Sequence, residues 1–259
     1  MSVVPPLRKA EYLNKVATPL LILLLVSGVF SDSVAAKGTV TTSLLLKKTE
    51  MATPVHVLDS GTPGDVLLVI GGIHGNEPAG MEAAKQLLAL RPSKGKMVII
   101  PIANRLAAEA GMRSPYYMPD LNRAFPGRNR GNNTEKLAAS IMGVIRRYRP
   151  AAVIDLHEAD PTTDPGSTET ANSLILSEDG RAAVIGLHVL ETRNAEAQGR
   201  SFSFLSSAPE GSLNHEVSRR LKIPVITVET DKRDLLANRV ATQLDMVKRI
   251  AKAVEEHGK

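Results

Sequence analysis

The 259 residues include no cysteine and no tryptophan, and phenylalanine and tyrosine together make up only 3%. The missing thiols exclude disulfides, cysteine–zinc centres and a thiol nucleophile, but they do not fix a cellular compartment. The shortage of rings leaves a core to be built from Leu, Ile, Val and Ala. No block of Lys and Arg interleaved with aromatics occurs, so a net charge of +5 does not support a nucleic-acid partner. There is no internal repeat, low-complexity tract or Pro/Gly-rich linker, and one domain is the expected count. What remains, 43% hydrophobic and 23% charged, has the balance of an ordinary globular protein.

The first 36 residues have a different character. Arg8, Lys9 and Lys15 precede "ATPLLILLLVSGVF", and small residues at Val34 and Ala36 follow. A basic start, a short apolar stretch and a small-residue end are the three parts of a secretory signal peptide. The apolar run is too short for a permanent membrane span. A buried N-terminal helix is the competing reading, but Leu20 to Val26 has no polar face. Residues 1–36 are therefore expected to be a signal peptide and 37–259 the catalytic domain, exported to the periplasm or secreted, with no stable membrane span after cleavage.

Past Lys37 strands and helices alternate. "TVTTSLLL" and "TPVHVLDSG" read as two strands closed by a Gly-containing turn. "DVLLVI", "KMVIIPI" and "AAVIDLH" are apolar strands, with "NSLILS" and "PVITVET" as further ones. Pro78 suits the first turn of a helix over "PAGMEAAKQLLALR", where Met81, Ala84, Leu87 and Leu88 keep helical spacing. "TEKLAASIMGVIRRY" reads as a second helix capped by Thr134, "GSLNHEVSRRL" as a third, and 231–256 as a terminal one. The polar stretch from Asn104 to Asn133 shows no element of its own. This alternation predicts an α/β fold: a mixed, mostly parallel central sheet with helices on both faces.

In open sheets of this kind, ligands bind beyond the carboxyl ends of the strands. In "GGIHGNEPAG", His74 and Glu77 follow one such strand; "DLHEAD" puts His157 at the end of another, and "VET" puts Glu229 at the end of a third. Taken singly, each has a plain structural reading: a solvated helix start, a satisfied core histidine, a capping acid. Together, at one sheet edge, they suggest a shared site. Two His and one Glu are an established zinc set with a fourth position left for water, and the absence of Cys rules out softer sets. One zinc per chain is expected on His74, Glu77 and His157. Glu229 is then the base that takes the water's proton; Glu158 is the fallback. His56, His188, His215 and His257 lie away from this edge and read as structural or surface residues. Arg113 and Arg123, in the polar stretch, could clamp a carboxylate through their forked donors.

"GGIHGNE", "DLNRAFPG", "DLH" and "VET", in this order, resemble the zinc carboxypeptidase superfamily, and within it the branch of succinylglutamate desuccinylase and aspartoacylase. The resemblance covers roughly Val66 to Thr230. It implies that His74, Glu77 and His157 hold zinc and that Glu229 activates water. It further implies that Asn122 and Arg123 recognise the substrate's free carboxylate, that Arg113 polarises the scissile carbonyl, and that Asp120 orients a zinc-bound histidine. Two departures stand out. Ser201 to Val228 holds no tyrosine, so the active-site tyrosine of the peptidases is vacant or replaced by Tyr116 or Tyr117. Only 30 residues follow Glu229, too few for the β-rich terminal domain of aspartoacylase-like enzymes. The expected activity is zinc-dependent hydrolysis of an amide bond beside a free carboxylate, by an exported carboxypeptidase acting on peptides, including cell-wall peptides. The alternative is a deacylase of N-acyl amino acids, and the non-enzyme alternative is an inactive binding module.

Overall fold

The computed structural model describes residues 38–196 and 201–257. The proposed signal peptide lies outside the described residues. Eight strands form one sheet, in the order β1-β2-β4-β3-β5-β8-β6-β7. They are β1 (Thr39–Leu45), β2 (Thr53–Asp59), β3 (Val66–Gly71), β4 (Lys96–Ile100), β5 (Ala152–Ala159), β6 (Ser173–Leu176), β7 (Ser203–Leu205) and β8 (Val225–Asp231). Four of the seven neighbouring pairs are parallel: β3 with β4 and β5, β5 with β8, and β6 with β7. The other three, β1–β2, β2–β4 and β6–β8, are antiparallel. The sheet is mixed and mostly parallel, as the alternation predicts.

The helices are α1 (Pro78–Leu87), α2 (Arg105–Ala110), α3 (Asn133–Tyr148), α4 (Gly180–Glu196), α5 (Leu213–Leu221) and α6 (Leu236–His257). Because strand side chains alternate between faces, β5 divides its residues between two cores. Ala152, Ile154 and Leu156 pack with Leu87 of α1, Val189 of α4 and Ile250 of α6. Val153 packs with Leu137 and Ile141 of α3 and Val217 of α5. Helices therefore cover both faces, and the two cores are built mainly from aliphatic side chains of strands and helices together. No helix among the described residues is long and apolar enough to cross a membrane.

Four local expectations are corrected. The β1–β2 connection contains no glycine; Leu46 and Lys48 take its positive φ angles, at 44° and 65°. The polar stretch does hold a helix, α2. The Asn104 side chain accepts a hydrogen bond from Ala107 N at its start, and Gly111 turns into the left-handed region (φ 61°) at its end. Thr134 is not the cap of α3. Asn132 is, in a reciprocal box with Glu135, while Thr134 is buried. Helix α4, not anticipated, blurs its own signal: Ile185 and Val189 are buried, but the equally apolar Val184 and Leu187 are half exposed.

Candidate active site

Strand β3 ends at Gly71, and the chain must turn at once to bring His74 and Glu77 back over the sheet. Gly72 makes that turn at φ 67°, a conformation costly for any residue with a Cβ. Gly75 then lets the loop lie against α2, where a Cβ would fall 1.9 Å from the Ala107 carbonyl oxygen. The loop is pinned by Gly75 N donating to Met112 O at 2.9 Å. Pro78 starts α1 immediately after Glu77. Small residues are needed here to bring His74 and Glu77 close together on a short arc of chain.

His157 comes from β5 and Glu229 from β8, and the two are register partners on parallel strands. Asp155, two residues before His157, shares its face. Glu158 has the opposite parity and points to the other side of the sheet, where Ala79 N donates to its Oε2 at 2.7 Å and Arg239 pairs with its Oε1. Both oxygens are engaged, so the fallback base is occupied elsewhere.

The three candidate ligands meet. His74, Glu77 and His157 are 2%, 4% and 2% exposed, and their donor atoms all lie within 4.8 Å of one another. The two Nδ1 atoms are 3.2 Å apart. Glu77 places Oε1 2.7 Å from His74 Nδ1 and Oε2 2.8 Å from His157 Nδ1. Each imidazole has a carboxylate behind it: Asp120 Oδ1 lies 3.2 Å from His74 Nε2, and Asp155 Oδ2 lies 3.0 Å from His157 Nε2. With a cation at the centre, that arrangement would hold each imidazole with Nδ1 facing the ion, the usual support for a metal-binding histidine. Asp120 was expected in this role. Asp155 was not, although its position two residues before a strand-end histidine was a readable signal.

The electrostatics also fit a cation. Burial works against charge on Glu77 and Asp120, but the neighbouring imidazoles, with Arg113 in the case of Asp120, outweigh it. Both carboxyls are held well below the usual carboxylate range. Burial would lower His157, yet Asp155 and Glu77 raise it well above the usual histidine value. Asp155 Oδ1 is buried and has no hydrogen-bond partner among the described residues. Three carboxylates gather around two imidazoles in a poorly solvated place, and Arg113 pairs closely only with Asp120. A divalent ion would balance the carboxylates' charge and use both facing Nδ1 atoms. Glu229, by contrast, is pushed up to about 8, first by burial and then by Glu77 and Asp155, with His157 and Arg113 opposing.

A cavity of about 640 Å³ opens over this cluster. Arg113, Asn122, Arg123 and Lys232 line it along with the ligands and Glu229. Arg113 grips Asp120 Oδ2 through Nε (3.0 Å) and Nη2 (2.9 Å), leaving Nη1 on the side of Glu77, 4.0 Å from its Oε1. Asn122 Oδ1 accepts from Leu213 N at 2.9 Å, which ties the loop to the start of α5 and leaves the amide nitrogen free of that contact. The Arg123 guanidinium donates to the Asn122 carbonyl oxygen and pairs with no carboxylate among the described residues. Tyr116 and Tyr117 do not replace the missing tyrosine. They are 92% and 62% exposed, stack edge to face on each other, and do not line the cavity.

Over residues 63–254 the sequence matches the succinylglutamate desuccinylase/aspartoacylase catalytic domain. The chain belongs to that family. It is 35% identical over 137 residues to the N-alpha-acetyl-L-2,4-diaminobutyric acid deacetylase of Halomonas elongata, a match covering 51% of this chain and 40% of the relative. An aspartoacylase family protein of Mesorhizobium loti superposes with a TM-score of 0.64 at 22% identity, covering 83% of this chain and 66% of that one. A tripeptide-bound cell shape determinant protein of Helicobacter pylori gives 0.64 at 18%, covering 83% and 55%. At these identities the two solved structures speak for the fold alone. The chain spans less than half the length of the deacetylase and 66% of the aspartoacylase family protein.

Proposed function

We propose that the protein is a zinc-dependent amide hydrolase that removes the acyl group from small N-acyl amino acids bearing a free carboxylate. The observation that carries this is the meeting of His74, Glu77 and His157 beside Glu229, in one cavity with the carboxylate-free Arg123 guanidinium. The family match and the deacetylase of Halomonas elongata support the substrate class.

His74, Glu77 and His157 would hold the ion, which when bound supplies the Lewis acidity that makes water a nucleophile near neutral pH. Glu229, ionised once a cation in the triad displaces its proton, takes the water's proton and passes it to the leaving amine. The Nη1 edge of Arg113, on the side of Glu77, stabilises the negative charge that develops on the carbonyl oxygen. Arg123, helped by the Asn122 amide, binds the substrate carboxylate in a fork. Asp120 and Asp155 hold the two imidazoles in the ligating tautomer.

The second reading is the expected exported carboxypeptidase. Its support is the cavity, which has the volume of a drug-sized ligand site and room for a short peptide. Export is part of that proposal and rests on the sequence of residues 1–36. Mass spectrometry of products from a mixed pool of N-acyl amino acids, peptides and wall fragments separates the two. Release of acyl groups from N-acyl amino acids is the expected result. C-terminal residues released from peptides alone would transfer the proposal to the second reading.

A further inference from the structure

Away from the cavity, the same donor types gather a second time, on the surface where α4 meets α6. His188 of α4, with Glu256 and His257 in the last turn of α6, brings its donor atoms within 4.8 Å of theirs. His188 Nε2 lies 3.5 Å from Glu256 Oε2, and His257 Nε2 lies 3.9 Å from the same oxygen. The two rings meet edge to face, with centroids 4.8 Å apart. Eight residues along α4 from His188 is Glu196, and eight residues back along α6 from His257 is Arg249; Arg249 Nη2 and Glu196 Oε2 are 2.6 Å apart. The two helices therefore run antiparallel. The histidine cluster and the ion pair are two polar stitches about 12 Å apart on one seam, with Val189 and Ile250 buried beneath it.

We propose that His188, Glu256 and His257 form a surface site for a borderline divalent transition ion of the zinc class, joining α4 to the last turn of α6. Two imidazoles and a carboxylate select such ions over magnesium and calcium, which prefer all-oxygen sets. Donors at about 2.0–2.2 Å from a tetrahedral centre lie roughly 3.4 Å apart. The 3.5 Å pair already has that spacing, and the 3.9 Å pair reaches it by a side-chain rotation that its exposure permits. The end of α6 helps, because carbonyl groups at a helix C-terminus carry partial negative charge that favours a cation. Lys252 is the nearby competitor, but its Nζ approaches the other oxygen, Oε1, at 3.9 Å and leaves Oε2 to the histidines. The site is independent of the buried triad and of the activity proposed for it.

The rival occupant is a proton, with Glu256 paired to a protonated imidazole and no metal bound. Equilibrium dialysis of protein without a histidine tag against Zn2+, with Mg2+ as competitor, separates the two. Wild type is expected to hold two zinc equivalents and the His188→Ala/His257→Ala double variant one, with hydrolytic activity unchanged and no displacement by Mg2+. Glu256→Gln, which leaves both rings in place, is expected to weaken the second equivalent alone. A single equivalent in wild type, two in the double variant, or equal competition by Mg2+ would overturn the proposal.

Discussion

Two histidines and a glutamate converge twice in this molecule, and the two settings differ in almost everything except the donors. His74, Glu77 and His157 sit under the sheet edge, each less than 5% exposed, with Asp120 and Asp155 locked behind the imidazoles. His188, Glu256 and His257 stand on a helix seam, 32%, 42% and 39% exposed, with no second carboxylate behind either ring among the described residues. Water can satisfy every atom of the second group. It can reach little of the first, so charge there must be balanced by the protein's own groups or by an ion. Ligand identity alone therefore does not make a catalytic centre. Burial, supporting carboxylates and an adjacent base do.

The largest expected effect follows from Glu229, the proposed base, which lies beside the buried cluster and not beside the surface one. Glu229→Gln keeps the shape and loses the proton acceptor, so turnover should fall roughly 10²- to 10⁴-fold while zinc content and thermal midpoint persist. Full activity in that variant would mean the cluster's neighbour is not the base, and the contrast with the surface group would lose its chemical half.

The anion grip comes next. Arg123→Lys retains the charge but loses the fork. kcat/KM for substrates with a free carboxylate should drop by roughly one to three powers of ten, at about 1.4 kcal/mol per power. Amidated substrates should be poor for wild type and change little. If wild type cuts free and amidated substrates equally well, Arg123 does not read the carboxylate.

The supporting carboxylate gives a smaller change. Asp155→Asn removes the charge behind His157 and should weaken zinc at the buried site by about 10- to 100-fold, which a competition titration against a zinc chelator would measure. Zinc at the surface site should be unaffected. Equal weakening at both sites would point to a general loss of folding.

This last residue shows where the sequence stops being informative. His74, Glu77, His157 and Glu229 could be read because each follows an apolar strand run, and strand ends in such sheets converge. The sheet itself could be read from the same runs. Asp155 lies inside a run, where only face parity with His157 would have marked it. Helix α4 was hidden because Val184 and Leu187 add apolar residues to its solvent side, and the Thr134 cap was misplaced because Asn132 and Glu135 make the stronger reciprocal pair. The surface cluster joins residues 68 positions apart across a helix that had not been foreseen, so nothing in the linear order pointed to it.

The smallest effect is a proton count. Glu229 is raised to about 8 in the metal-free protein, so at pH 7 it is mostly protonated when folded and mostly ionised when unfolded. The folded state then binds more protons than the unfolded state between about 4.5 and 8. Its contribution to metal-free stability is therefore lost as pH rises through that window. A cation in the triad displaces the proton, so zinc uptake at pH 7 should release protons, and Glu229→Gln should release about one fewer. Calorimetry in two buffers of different ionisation enthalpy would read the difference; identical release would place the raised carboxyl elsewhere.

The most direct test of the central claim is a zinc titration of metal-free His188→Ala/His257→Ala protein, following hydrolysis of an N-acetyl amino acid. Activity should rise from the baseline in proportion to added zinc and level off at one equivalent, and the same titration of His74→Ala should stay at the baseline. Activity that is independent of zinc, or that survives in His74→Ala, would contradict the assignment of the buried triad as the metal centre of a hydrolase.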